Sequence, residues 1–124
     1  MATIGYLEGI DPLVLTRLAV KGVGTLPLSN GFDNHGRFLG NLSERDGVDL
    51  IVGYLHKVLR TQRHGFFVED LLQTCHDLGV PVWILVASTD HEMANDMLRR
   101  AAEWVTLVDP DQLFDALVDL FHLL

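Results

Sequence analysis

The sequence has little cysteine and little positive charge. Cys75 is the one cysteine in 124 residues, so no disulfide can form within the chain, and a free thiol fits a reducing compartment. Nine Lys and Arg residues face seventeen Asp and Glu, which gives a formal charge of -8. That balance argues against the basic surface that DNA or RNA binding requires. We therefore predict a cytoplasmic location and no nucleic-acid partner.

Long hydrophobic runs are also missing. No apolar run reaches the roughly 18 residues of a membrane span, and the first residues lack the basic stretch of a secretory signal. We therefore predict no membrane partner. Hydrophobic residues nevertheless make up 48% of the chain and charged residues 21%, which is enough to build a packed core.

Short apolar runs alternate with segments of helical periodicity along the whole chain. Five strands are predicted, at residues 3–7, 23–28, 49–55, 81–87 and 104–108. Helices are predicted after Asp11, at about 37–45, at 67–78, after Ser88 and after Asp109, and residues 60–65 are predicted to form a loop. Strict alternation of this kind favours a parallel sheet with helices on both faces. We predict a single domain over residues 1–124: a three-layer α/β fold with five strands in the flavodoxin-like order 2-1-3-4-5.

Several residues predict the ends of these elements. Asp11 and Asp109 each precede a proline, a combination typical of a helix N-terminus. Thr89 and Glu92 have the spacing of a capping box. Pro27 lacks an amide donor and therefore predicts an edge position for the second strand.

A ligand site in such a sheet is expected beyond the carboxyl ends of the strands, between the first and third strands. The candidate catalytic residues at these ends are Glu8, Asp33, His35, His56 and Lys57. The candidate ligand-binding residues are Gly9, Ser29, Asn30, Asn34, Gly36, Ser88, Thr89, Asp90 and His91.

Each candidate has a chemical reason and a structural alternative. Glu8 would flank the crevice, and Lys57 beside His56 would disfavour the charged imidazole. The polar loop at 29–36 is of the type that binds ligands in α/β proteins, but it also fits a Gly/Asn turn that caps a helix. Amides at helix starts would favour an anion.

The motifs of the sequence do not identify a cofactor or a metal. Asp33-x-His35 places two possible metal ligands close together, and Glu8, His56, Asp90 and His91 could join them. The sequence contains no H-E-x-x-H, G-x-G-x-x-G, Walker A or G-x-S-x-G motif. Cys75 lies on the apolar stripe of a predicted helix, so we expect it to be buried rather than nucleophilic.

Residues 4–31 resemble the opening of a Toprim domain. The first strand ends in Glu8-Gly9, Asp11 follows, a helix runs to Gly22, and a second strand ends near Asn30-Gly31. The resemblance implies that Glu8 is the catalytic glutamate. The acidic D-x-D pair that binds magnesium in that family is absent, however, and residues 54–57 stand in its place.

Three functions follow from these observations. The first is a small domain that binds a small polar or anionic molecule at the strand ends, within a homo-oligomer. The second is a lyase or hydrolase at the same rim that uses His and carboxylate acid–base chemistry, with or without a metal. The third is an assembly subunit, because the final helix is apolar on more than one face.

Overall fold

Six parallel strands form one sheet in the computed structural model, which describes residues 2–59 and 67–123. The loop predicted at 60–65 lies outside these residues. The sheet order is β3-β2-β1-β4-β5-β6. The strands are β1 (Thr3–Tyr6), β2 (Gly24–Ser29), β3 (Arg37–Phe38), β4 (Leu50–Tyr54), β5 (Val82–Leu85) and β6 (Val105–Val108).

Helices cover both faces of this sheet. They are α1 (Pro12–Val20), α2 (Leu55–Leu59), α3 (Val68–Leu78), α4 (His91–Leu98) and α5 (Leu113–Phe121). Side chains alternate between the faces of a strand, and β4 shows this directly. Ile51 packs in a core with α2, α3 and α4, whereas Leu50 and Val52 pack in a second core with α1 and α5. The α/β class with a parallel sheet is therefore confirmed.

The prediction of five strands in the order 2-1-3-4-5 is wrong, because the sheet has six strands and β3 lies outside β2 at one edge. The additional strand, β3, is two residues long and pairs with β2 in the segment where a short helix was predicted. Two 3-10 turns follow, at Leu39–Asn41 and Glu44–Asp46. Leu39 and Leu42 are buried in the hydrophobic core. Their helix-like spacing therefore arises from short turns that pack on the core and not from an α-helix.

The Asp-Pro pairs predict two helix starts correctly, whereas the edge position predicted from Pro27 is wrong. The carboxylates of Asp11 and Asp109 accept from backbone amides two residues on, so both predicted caps are confirmed. Strand β2 is not an edge strand, because β3 pairs with it from Leu28 onward. Pro27 lies just before this pairing begins, where the outer side of β2 needs no amide donor.

The predicted capping box at Thr89 and Glu92 is also wrong. A 3-10 turn spans Ser88–Asp90, and α4 begins at His91 without a side-chain cap. This turn is held instead by Asp109, which follows β6 and accepts hydrogen bonds from both the amide and the hydroxyl of Ser88. None of the helices within residues 2–59 and 67–123 combines the length and apolarity that a bilayer crossing requires.

Candidate functional site

The ammonium group of Lys57 lies between two carboxylates at the carboxyl ends of the strands. Its Nζ is 3.1 Å from Asp33 Oδ2 and 3.5 Å from Glu8 Oε1. Glu8 follows β1, Asp33 follows β2, and Lys57 lies in α2, which follows β4 directly. Three predicted site residues from three separate segments therefore meet at the junction of β1 with its two neighbours. We call Glu8, Asp33 and Lys57 the Lys57 cluster.

Two buried polar side chains hold the loop that carries Asp33. Ser29 and Asn30 are the buried polar residues of the described chain. Asn30 Oδ1 accepts from the amides of Phe32 and Asp33 at 2.8 and 3.0 Å, which closes an Asx turn. The Ser29 hydroxyl donates to the Asp33 carbonyl at 2.5 Å and accepts from the Gly31 amide at 3.0 Å. The predicted Gly/Asn turn is therefore present, but the strand β3 follows it and not the helix that it was expected to cap. The turn places a carboxylate beside Lys57.

Asn30 also connects this loop to the helix that carries Lys57. Its Nδ2 donates to the Lys57 carbonyl oxygen at 2.7 Å. The same side chain therefore sets the position of Asp33 and the backbone of Lys57. Because the Asn30 carboxamide is buried, the loss of any of its three hydrogen bonds would leave a polar group without a partner and away from water. This cost favours the arrangement in which all three hydrogen bonds form.

The tyrosines that end β1 and β4 each contact an imidazole ring. The His35 ring meets Tyr6 edge-to-face at 5.3 Å, and its Nδ1 lies 3.0 Å from the Leu28 carbonyl oxygen. The exposed His56 ring tilts against Tyr54 at 5.6 Å. Sequence reasoning missed both tyrosines, although each occupies the last position of its strand, and that position was the available signal.

The glycines and Asn34 shape this rim without supplying charge. Gly9 has a φ of +104°, and a Cβ there would lie 3.6 Å from the Tyr54 ring. Gly36 has a φ of +77° and turns the chain into β3. Asn34 is exposed.

The remaining predicted residues form a separate group near β5 and β6. Ser88 is bonded to Asp109, and His91 Nε2 lies 3.0 Å from the Val86 carbonyl oxygen. Hydrogen bonds from the Asp111 amide and from Ser88 hold the pKa of Asp109 below its usual range. Thr89 and Asp90 are exposed in the same 3-10 turn. These contacts account for Ser88 as a structural residue and do not link the group to Lys57.

Metal and thiol chemistry find little support in the described part of the chain. No group of three or more His, Cys, Asp or Glu side chains there is arranged to hold a metal ion. Cys75 is buried in α3, and burial raises the pKa of its thiol to about 11. A depression of about 170 Å³ is lined by Val118, Asp119, His122 and Leu123, at the end of α5 and apart from every predicted site residue.

Comparison with known proteins adds no family. No protein-family model matches the chain, and no curated protein matches it significantly. The Toprim-like opening at residues 4–31 therefore stays a prediction.

Proposed function

We propose that this domain binds a small polar molecule through an anionic group held at Lys57. The observation that carries the proposal is the position of the Lys57 ammonium at the carboxyl ends of β1, β2 and β4. Ligands of open α/β sheets bind beyond the carboxyl ends of the strands, where the strand order reverses. An ammonium group has three donors. Among the described residues, Glu8 Oε1 accepts from Lys57 Nζ at 3.5 Å and Asp33 Oδ2 lies at ion-pair distance, and we expect an anionic ligand group to accept a further hydrogen bond.

The rigidity of the surrounding loop supports a binding role. Lys57 has a side chain only 12% exposed, and Asp33 has one 9% exposed. Keeping two charged groups so well covered requires good geometry, because desolvation opposes it. Ser29 and Asn30 supply that geometry through buried hydrogen bonds. A site that is ordered before the ligand arrives loses less entropy on binding.

The test is a titration of three probes against a matched pair of variants. Acetate, inorganic phosphate and adenosine monophosphate would be titrated at constant ionic strength and followed by amide chemical shifts. We expect one or more probes to shift the amides around Glu8 and Asp33 in the wild type. Lys57→Met should abolish these shifts, while Lys21→Met, at the exposed end of α1, should leave them unchanged.

Two controls keep this test interpretable. Lys57→Arg retains the charge and would show whether loss of binding in Lys57→Met reflects charge rather than local collapse. Melting temperatures of all variants would show that the fold survives. Equal shifts in wild type and Lys57→Met, or no shift by any probe, would overturn the proposed site.

A second proposal, homodimer assembly, rests on exposed apolar side chains of the α1/α5 layer. Leu13 and Val20 on α1 are 64% and 83% exposed. They lie seven positions apart, on one side of the helix. The same layer carries the exposed base Lys21 directly after α1 and the exposed acids Asp115 and Asp119 on α5. A two-fold axis that sets α1 against α5 of a second copy would cover the apolar side chains and pair these opposite charges.

Molar mass in solution tests the assembly proposal. Light scattering after size exclusion should give a dimer for the wild type and a monomer for Val20→Glu. Because Val20 is so exposed, its substitution should not unfold the domain. Met93→Glu, on the opposite helical layer and 52% exposed, is the matched control and should remain a dimer. A monomeric wild type at high concentration would exclude this assembly.

A further inference from the structure

The two carboxylates of the Lys57 cluster hold the ammonium very differently. Asp33 is the nearer partner, at 3.1 Å, and its side chain is 9% exposed. Glu8 is 3.5 Å away, at the limit of a hydrogen bond, and its side chain is 47% exposed. One ion pair is therefore covered and fixed by its loop, whereas the other is open to water. Exposed pairs of the second kind contribute little stability.

Glu8 can leave Lys57 without disturbing the sheet. The preceding residue, Leu7, is 1% exposed and donates its amide to the Val52 carbonyl oxygen at 3.0 Å. The backbone at the end of β1 is thus anchored, and only the Glu8 side chain has to rotate. A ligand carboxylate has the same shape and charge as the Glu8 carboxylate, so it can take its place at Lys57.

We propose that the ligand of this site is a zwitterion, a small molecule that carries a carboxylate and an ammonium group, as amino acids do. This inference rests on the proposed function, because it requires that an anionic group binds at Lys57. The ligand carboxylate replaces Glu8 at Lys57, and the ligand ammonium pairs with the displaced Glu8. One internal ion pair is exchanged for two pairs with the ligand.

Charge pairing is the reason for this choice of ligand class. A bare carboxylate that displaces Glu8 leaves the Glu8 charge without the partner that the structure gives it. A bare ammonium that binds Glu8 takes it from Lys57 and places a second cation beside the first, where like charges repel. A zwitterion avoids both penalties, because it supplies a new partner to each member of the exchanged pair.

The experiment compares three probes that differ only in their charged groups: glycine, acetate and methylammonium. Each would be titrated at fixed ionic strength against wild type, Glu8→Gln and Lys57→Met, with dissociation constants from amide chemical shifts. An exposed ion pair changes affinity by about twofold to fivefold. We therefore expect glycine to bind wild type about twofold to fivefold more tightly than acetate, and methylammonium to bind most weakly.

The Glu8→Gln variant carries the decisive comparison. Without the Glu8 charge, the ammonium of glycine loses its partner, and acetate no longer has to displace a carboxylate. The preference for glycine over acetate should then disappear or reverse. Glu92→Gln, an exposed substitution on α4, is the matched control and should retain the wild-type preference.

The outcomes separate this inference from the proposed function. If acetate binds through Lys57 as tightly as glycine, or if the preference for glycine survives in Glu8→Gln, the zwitterion is wrong while the Lys57 site stands. Methylammonium binding as tight as that of glycine would likewise overturn the zwitterion. If none of these probes shows binding that Lys57→Met abolishes, the inference fails, and the proposed site fails with it if phosphate and adenosine monophosphate also give no shift that depends on Lys57.

Discussion

The carboxamide of Asn30 joins two segments that are far apart in the chain. Its Nδ2 donates to the Lys57 carbonyl oxygen at 2.7 Å, across 27 positions of sequence. The Asn30 side chain is almost completely buried, and its oxygen accepts from two amides of its own loop. This one residue therefore couples the loop after β2 to the helix after β4, and it sets the positions of Asp33 and Lys57 relative to each other.

Replacing Asn30 with alanine should destabilise the domain clearly. The substitution removes three hydrogen bonds and leaves the Lys57 carbonyl and two loop amides to find other partners, which costs about 1–3 kcal/mol. Chemical denaturation would measure the loss. Asn41→Ala, at an exposed position, is the matched control and should change stability by less than about 0.5 kcal/mol. Equal stability of the two variants would contradict the coupling role.

Alanine at Gly36 should cost more than alanine at another glycine of similar backbone conformation. Gly36 has a φ of +77° and Gly79 a φ of +71°, so both variants pay the same left-handed penalty of about 1–2 kcal/mol. A Cβ on Gly36 would also collide with the Pro27 carbonyl oxygen, whereas a Cβ on Gly79 would meet open space. Such overpacking adds about 1–3 kcal/mol.

The two unfolding free energies test this difference directly. Equal unfolding free energies for Gly36→Ala and Gly79→Ala would contradict the close approach of the Gly36 turn to the Pro27 carbonyl of β2. Loss of the turn should also displace β3, which would appear as faster hydrogen exchange at the amides around Phe38.

Asp109 should make the stability of the domain depend on pH at the acidic end. Its pKa is lowered by hydrogen bonds from the Asp111 amide and from the amide and hydroxyl of Ser88. Because the pKa of Asp109 is lower in the native state than in the unfolded state, its carboxylate stabilises the fold at pH values above the unfolded-state pKa, which is near 3.9. That contribution disappears as the pH falls below this value and through the lower native pKa.

Melting temperatures from pH 7 to pH 2 would measure this effect. Asp109→Asn should melt a few degrees below wild type at pH 7, because it weakens the cap and the bonds to Ser88. The difference should shrink as the pH falls and Asp109 in the wild type becomes protonated. Asp96→Asn, exposed on α4, is the control. A difference that stays constant over this range would show that the charge of Asp109 is not responsible.

Cys75 should be unreactive in the folded protein. Burial raises the pKa of its thiol to about 11, so very little thiolate forms at pH 8, and reagents cannot reach the sulfur. Labelling with a disulfide reagent at pH 8 should be slow in buffer and complete within minutes in guanidinium chloride. Rapid labelling in buffer would indicate that α3 opens easily or does not cover Cys75 as described.

The candidate site was predictable from the sequence in its location but only in part in its contacts. Glu8, Asp33 and Lys57 were all expected at the rim, because each follows a strand and parallel strands end at the same edge. Their ion pairs depend on how the loop after β2 packs against α2, and the long-range hydrogen bond of Asn30 links these two segments. Ser88 was expected beside these residues by the same reasoning, but it bonds to Asp109, which follows β6, and not to the Lys57 cluster.

Local patterns in the sequence determined the α/β class and the parallel sheet. Apolar runs alternate with helical stripes, and the Asp-Pro pairs at 11–12 and 109–110 mark helix starts through interactions within a few residues. The tertiary structure alone decided the addition of β3 and the pairing of Lys57 with Glu8 and Asp33. Both depend on the meeting of segments far apart in the chain, where packing against the core overrides local propensity.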